Sequence, residues 1–237
     1  AICKNPTDSL KEAQINKYQR IIQNLDVKDA KVLEIGCGWG GFAEEAASAG
    51  AKLTGLTISN KQYDYAKKRL NENADILMKD YREIEGKYDR IVSIEMFEAV
   101  GEKYWKLYFD QIKRLLKKDG KAMIQTITID DEVFSSYRKK SDYIRHHIFP
   151  GGMLPSKKVF CKRVKDSKLG VGEVFEFGKD YAWTLQKWKK NFMAQKDQLL
   201  IGGCSESFLR SWEFYLSICI AGFNSGRTSV MQVEIMN

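Results

Sequence analysis

The chain has 237 residues, 43% of them hydrophobic and 30% charged, which suits one generous domain with a sizeable core and excludes a disordered or collagen-like chain. Its 39 Lys and Arg exceed its 31 Asp and Glu by 8, a surplus that favours an anionic partner such as nucleic acid, a phosphate-bearing substrate or the acidic face of a membrane. Five scattered cysteines without a C-x-x-C pair, and two adjacent histidines (His146 and His147) whose side chains should point apart, give no disulfide framework and no metal site, so a reducing cytosol fits best.

Apolar runs with strand character alternate with helical patterns through the first half. Residues 31–35 (KVLEI) read as a buried strand and 41–49 as a helix of small residues. Residues 52–56 form the next strand, followed by a helix over 61–70, a short strand at 76–78 and a more apolar one at 90–94. Tyr104, Leu107, Tyr108, Ile112 and Leu115 then recur at helical spacing over 104–117, Gly120 stops that helix, and 122–129 (AMIQTITI) is a fifth strand. Such alternation predicts βαβ units and a parallel sheet covered on both faces. The rhythm breaks over residues 130–168, where the basic run Arg138, Lys139, Lys140 and an HHIFPGG turn predict a lid or substrate insertion of about 130–170. A strand at 171–177, helices at 181–192 and 205–222 and a last strand at 229–235 complete a single domain spanning 1–237. No apolar run approaches the ~20 residues of a membrane span.

Glu34-Ile35-Gly36-Cys37-Gly38-Trp39-Gly40-Gly41 closes the first strand and opens the first helix of the alternation. Glycines let the backbone turn tightly and approach a ligand, and a helix N-terminus offers free N–H groups. The dinucleotide pattern G-x-G-x-x-G is met only loosely, through Gly36, Gly38 and Gly41. Glu34 is better placed to meet a cation than a pyrophosphate, which suits the amino group of S-adenosylmethionine (AdoMet), whose reactive centre is a sulfonium. A nicotinamide enzyme would usually carry an Asp or Glu at the end of the second strand for the ribose. Here the residues are Thr57-Ile58-Ser59-Asn60-Lys61-Gln62: Thr57 and Gln62 can hydrogen-bond a ribose, and Ser59 also reads as a helix N-cap. Asp80 and Tyr81, after the third strand, supply a carboxylate and a ring where an adenine would lie. Glu95, past the fourth strand, is either a cofactor contact or a strand cap.

In this order and spacing, EIGCGWGG, GLTISNKQ, DYR, YDRIVSIEMFEAVG, IFPGGMLPS, FGKDYAWTL and FLRSWEFYLSICIAGF resemble the cyclopropane-fatty-acyl-phospholipid synthase family, from about Asp8 to Ile235. GCGWG alone is shared with many methyltransferases, whereas the whole set is specific. The resemblance implies a class I AdoMet-dependent methyltransferase, with a Rossmann-like, seven-stranded, mostly parallel sheet, helices on both faces and a substrate-binding insertion. It implies addition of a carbon to a cis double bond in a phospholipid acyl chain, giving a cyclopropane, by a cytoplasmic protein at the inner face of a membrane. A homodimer is left open, and the helical N-terminal domain often found in the family is expected to be absent.

An isolated alkene is a weak nucleophile with no proton to remove beforehand. A site that methylates one must hold the methyl in line, shelter the resulting cation and offer a base late. In the family that base is taken to be bicarbonate held by a Glu, a His, a Tyr and main-chain groups. Glu98 matches the Glu, Tyr181 the Tyr and Ile127 the main-chain contact. Gln125 falls where the family usually has His, Ala1 where many members have Cys or Ser, and Ala99 replaces the His of Glu-His-Val-Gly. A Gln amide can donate to an anion but carries no proton or charge, so these departures touch ring closure more than methyl transfer. Relatives with E-A-V-G and Gln include enzymes making methyl-branched or methylene fatty acids. Cys219 matches a cysteine sometimes named as the family's active residue, although an inert buried thiol suits its apolar helix. Because some plant alkaloid N-methyltransferases resemble the family, methylation of a small amine is a reading of another class. Methylation of nucleic acid would rest on the charge surplus alone, with no N/D-P-P-Y-type motif.

Overall fold

Burial follows the apolar runs. In the computed structural model, which describes residues 1–5 and 7–237, Val32, Leu33 and Ile35 of strand β1 (Lys31–Ile35) are all buried, as a strand covered on two faces requires. The remaining strands are β2 (Lys52–Thr57), β3 (Asp75–Met78), β4 (Tyr88–Ile94), β5 (Leu116–Ile129), β6 (Gly170–Glu176) and β7 (Thr228–Met236). They pair in the order β3-β2-β1-β4-β5-β7-β6, parallel from β3 to β5, with β7 antiparallel to both its neighbours. That is the seven-stranded, mostly parallel sheet expected. The order reverses between β1 and β4, and the carboxyl ends of these strands are where open α/β sheets bind ligands.

Helices cover both faces. On one side lie α1 (Leu10–Leu25), α2 (Gly41–Ser48) and α3 (Asn60–Leu70), which bury Ile21, Leu25, Phe42, Ala46 and Leu70 against Val32 and Val92. On the other side, the short α4 (Phe97–Val100) and α5 (Trp105–Leu115) bury Phe97, Trp105, Tyr108, Phe109 and Ile112. Burial of each Phe contributes about 2–3 kcal/mol. Helix α5 ends at Leu115, short of Gly120, because Leu116 turns to extended backbone and pairs with Tyr88. The strand that follows therefore starts at Leu116 rather than Ala122.

The break after β5 is helical. It holds α6 (Asp131–Lys139), a π-helical turn over Ile144–Ile148 and α7 (Lys157–Asp166), whose Phe160 and Val164 join the α5 core. In the π-helical turn the rings of His146 and His147 meet edge-to-face at 4.6 Å instead of pointing apart. Among the described residues no group of three or more His, Cys, Asp or Glu could hold a metal ion. A second helical excursion, α8 (Gly178–Ala194), α9 (Lys196–Ile201) and α10 (Glu206–Asn224), joins β6 to β7 and buries Tyr181, Leu185, Leu216 and Phe223 over Val230. No helix among the described residues is long and apolar enough to cross a membrane.

Candidate active site

The glycine loop leaves β1 and reaches α2 through three left-handed residues, Gly36 (φ +80°), Gly38 (φ +54°) and Gly40 (φ +78°). A Cβ on Gly36 would stand 3.0 Å from Met96 Cγ, so the loop is packed directly against the end of β4. A Cβ on Gly38 would meet nothing within 4 Å, which leaves open space over that part of the loop. Gly40 caps α2 without a side-chain hydrogen bond, so first-turn N–H groups remain available to a ligand. Beside the loop lies a cavity of about 340 Å³ lined by Gly36, Thr57, Gln62, Asp80, Tyr81 and Met96, among others. Thr57 Oγ1 donates to Gln62 Oε1 at 2.9 Å, and Tyr81 packs edge-on against Tyr108 at 5.6 Å. Asp80 is held by Arg82 at 2.7 Å, which keeps its carboxyl below the usual carboxylate range. The Ser59 hydroxyl accepts from Gln62 N at 3.4 Å as the N-cap of α3.

Under the loop, Glu34 is 2% exposed and its Oε2 has no hydrogen-bond partner. Burial pushes its pKa up to about 8, while the Lys17 ammonium pulls the other way. Lys17 comes from α1, is itself 5% exposed, and lies over the Tyr18 ring at 4.7 Å. Burial lowers its pKa, opposed by Glu95 and Glu34. An orphaned buried carboxyl oxygen, an uncapped helix start and a loop with free space above it together fit a donor that carries both an ammonium and a carboxylate, as AdoMet does.

Beyond Met96 a second polar group forms where β4, β5, β7 and α8 converge. Ile127 N donates to Glu98 Oε1 at 2.5 Å, whereas Glu98 Oε2 is buried without a partner. Burial, helped by the charge of Glu95, raises the Glu98 pKa to about 8. Gln125 Nε2 donates to Glu95 Oε1 at 2.6 Å and to the Tyr181 hydroxyl at 2.7 Å, and that hydroxyl in turn donates to Glu95 Oε1. The amide of Gln125 is oriented from behind. Arg20, which can only donate, gives a hydrogen bond to Gln232 Oε1 at 3.0 Å, and Gln232 Nε2 gives one to Gln125 Oε1 at 3.0 Å. Gln125 and Gln232 are direct cross-strand partners, a consequence of the antiparallel β7.

The HHIFPGGMLPS segment packs against α4: Met153 N donates to Glu98 O at 2.9 Å, and Leu154 N to the Tyr137 hydroxyl at 3.3 Å. Cys219 lies in α10, where burial raises its pKa to about 11. It makes no hydrogen bond to Glu95, Glu98, Gln125 or Tyr181. Ala1 is buried. Three residues of this region, Lys17, Arg20 and Gln232, carry no sequence signal of their own. The sequence signal that would have marked helix α1 is the S-x-x-E capping box of Ser9 and Glu12, whereas the placing of the two cations and the one amide follows from how α1 and β7 cross the sheet.

Comparison with known proteins identifies the family. The family model for mycolic acid cyclopropane synthetase matches residues 1–233. The chain belongs to that family. A tuberculostearic acid methyltransferase of Mycobacterium tuberculosis is 36% identical over 94% of this chain and 54% of its own length. The cyclopropane-fatty-acyl-phospholipid synthase of Escherichia coli is 35% identical over 95% of the chain and 58% of its own length. The chain thus spans somewhat more than half the length of these curated relatives. Among solved structures, the mycolic acid cyclopropane synthase CmaA1 in complex with SAH and CTAB superposes over the full chain and 88% of its own, with a TM-score of 0.92 and 28% identity. Members of the cyclopropane synthetase family that match here are methyltransferases and cyclopropane synthases, one of them described as S-adenosylmethionine-dependent.

Proposed function

We propose that this chain transfers the methyl carbon of AdoMet to a cis double bond in an acyl chain of an unsaturated phospholipid and closes a cyclopropane. The observation that carries the reading is the pair of carboxylates, Glu95 and Glu98, set in a desolvated pocket immediately beyond the loop that Met96 packs against. When bound, AdoMet supplies an electrophilic methyl. Glu34 and the glycine loop hold the donor, with Thr57, Gln62, Asp80 and Tyr81 around its nucleoside end. Ile127 N fixes one oxygen of Glu98, and a positive charge that develops on the substrate chain favours ionisation of this carboxyl, whose Oε2 is unpartnered and whose pKa burial raises to about 8. Aromatic side chains of α8 and α10, including Tyr181 and Phe223 with ring centroids 5.5 Å apart, exclude water from that charge. Gln125 and Tyr181, the residues that would hold a bicarbonate, already bind Glu95, and no step here is routed through that ion.

A lipid partner at a membrane surface is supported by exposed aromatic residues where the HHIFPGG turn meets α10. Phe149 packs on Tyr215 at 5.8 Å and Phe214 on Tyr143 at 4.8 Å, and both phenylalanines are exposed. Lys139 and Lys140 stand exposed at the end of α6, while Arg138 is paired with Glu102 at 2.7 Å.

A second product has its own support. Gln125 and Ala99 replace two imidazoles that the resemblance leads one to expect, so a methylene-branched chain, formed by a hydride shift and loss of a proton from the transferred methyl, is the alternative outcome at the same site, and a saturated methyl branch follows from it only with a separate hydride donor. Mass spectrometry decides between them. Vesicles of cis-monounsaturated phospholipid, incubated with the protein and AdoMet, should gain one CH2 per acyl chain, and catalytic hydrogenation then separates a resistant ring from a reducible methylene. Methylation of small amines in place of lipid would overturn the reading.

A further inference from the structure

Glu95 ends β4 in the left-handed region, with φ of +55°, a conformation that residues with a side chain rarely adopt and that concentrates at functional positions. Its N–H donates to Gln125 O at 2.8 Å, so the neighbouring strand holds the backbone there. One oxygen, Oε1, then receives both the Gln125 amide and the Tyr181 hydroxyl. These are the two side-chain donors that the resemblance assigns to a bicarbonate ion. In this chain they converge on a carboxyl group that belongs to the protein, and with both engaged there neither donor is free for a separate anion.

We propose that Glu95 is the built-in proton acceptor of the reaction, its carboxylate taking the seat of the bicarbonate, with Gln125 and Tyr181 as positioning residues. The inference rests on the methyl-transfer reading above. It also accounts for the loss of imidazole at position 125: a fixed anion needs donors around it, and an amide provides two N–H groups without competing for the proton. The chain Arg20 to Gln232 to Gln125 keeps one of those N–H groups on Glu95 and the other on the Tyr181 hydroxyl, which itself donates to Glu95. After methyl transfer the substrate is a cation. A C–H bond of the transferred methyl breaks, its electron pair forms the third C–C bond of the ring, and the proton passes to the Glu95 carboxylate. For a methylene product the same pair forms a C=C bond instead, and the proton has the same destination.

The test uses the full chain in carbon dioxide-free buffer, with and without added bicarbonate. Methyl incorporation into cis-monounsaturated phospholipid vesicles is measured alongside binding of 13C-bicarbonate by NMR. The wild type should turn over equally in both buffers and bind no bicarbonate. Glu95→Gln should lose about 100-fold or more in turnover, the scale of a general base, with AdoMet affinity by calorimetry and melting temperature retained. Glu95→Gly, which also relieves the left-handed backbone, should bind bicarbonate and recover turnover when it is added. Bicarbonate binding to the wild type, bicarbonate-dependent wild-type turnover, or full activity of Glu95→Gln would each overturn the proposal. A wild type that methylates no lipid would instead remove the activity reading, and bicarbonate binding by wild type and Glu95→Gly would still decide who occupies the seat.

Discussion

The main-chain N–H of Ile127 and the Glu98 carboxyl meet at 2.5 Å, and the other carboxyl oxygen is left buried with nothing to accept from. A group held at one oxygen and free at the other is oriented, and it can ionise when positive charge develops beside it. Replacing it by an isosteric amide should keep the fold and the hydrogen bond from Ile127 while removing the ability to ionise. Glu98→Gln is therefore expected to lose about 100-fold or more in turnover, with AdoMet affinity by calorimetry little changed. Turnover at the wild-type rate would remove Glu98 from the chemistry.

Glu34 and Glu98 both hold their protons up to about pH 8 in the folded chain, against a usual carboxylate value of 4.5. Between those values the native state binds more protons than the unfolded one, so their contribution to stability is full at acid pH and declines as pH rises towards 8. Lys17, whose pKa burial lowers, acts in the opposite sense at higher pH. Melting temperature should fall over this interval, and less steeply in Glu34→Gln. A cationic donor favours ionised Glu34, so AdoMet binding should release a proton and tighten as pH rises towards 8. Calorimetry in buffers of different ionisation enthalpy measures that proton directly.

Two glycines of the loop separate folding from binding. Alanine at Gly36 combines a positive φ with a Cβ 3.0 Å from Met96 Cγ, so Gly36→Ala should lose about 1–3 kcal/mol of stability as well as AdoMet affinity. At Gly38 the new methyl meets nothing within 4 Å, and only the left-handed backbone resists it. Gly38→Ala should cost about 1 kcal/mol in denaturant titration but markedly weaken AdoMet binding.

Gln232 touches neither carboxylate but orients Gln125. Gln232→Leu leaves Gln125 Oε1 without a donor in a buried site, and should cost about 1–3 kcal/mol of stability. Turnover should fall about tenfold with KM for AdoMet unchanged, because the amide can then rotate away from Glu95. Gln232→Glu still accepts from Arg20 but no longer donates, and should show the same split between kcat and KM.

Cys219→Ala should turn over like the wild type. A thiol whose pKa burial raises to about 11 holds almost no thiolate at neutral pH, so iodoacetamide should also react slowly with it. Rapid loss of activity on alkylation at Cys219 would return that residue to the catalytic set.

Much of this was legible in the sequence because it is local. The strands and helices α2, α3 and α5 follow from runs such as KVLEI and from the spacing of Tyr108, Ile112 and Leu115, whereas the short α4 does not. The glycine loop announces itself by composition. What stayed hidden is long-range. The roles of Lys17 and Arg20 depend on α1 lying under the loop, and that of Gln232 on β7 running antiparallel to β5 in one particular register. Glu95 was read as a cofactor contact or a strand cap, because periodicity says nothing of which side chain a neighbouring strand will face. The stretch after β5 lacked strand character for a simple reason, since its residues wind into α6 and α7.

Helix α1 also has a consequence for anyone engineering this chain. Its main-chain oxygen at Lys17 accepts from Gln232 at 3.4 Å, and its Arg20 sets the direction of the amide chain, so the segment ahead of the sheet is wired to the reaction centre rather than appended to it. A version pruned to begin at β1 would bare the apolar face that Ile21 and Leu25 cover and strip Lys17 from beside Glu34, so the nucleotide cradle would loosen together with the proton-handling end.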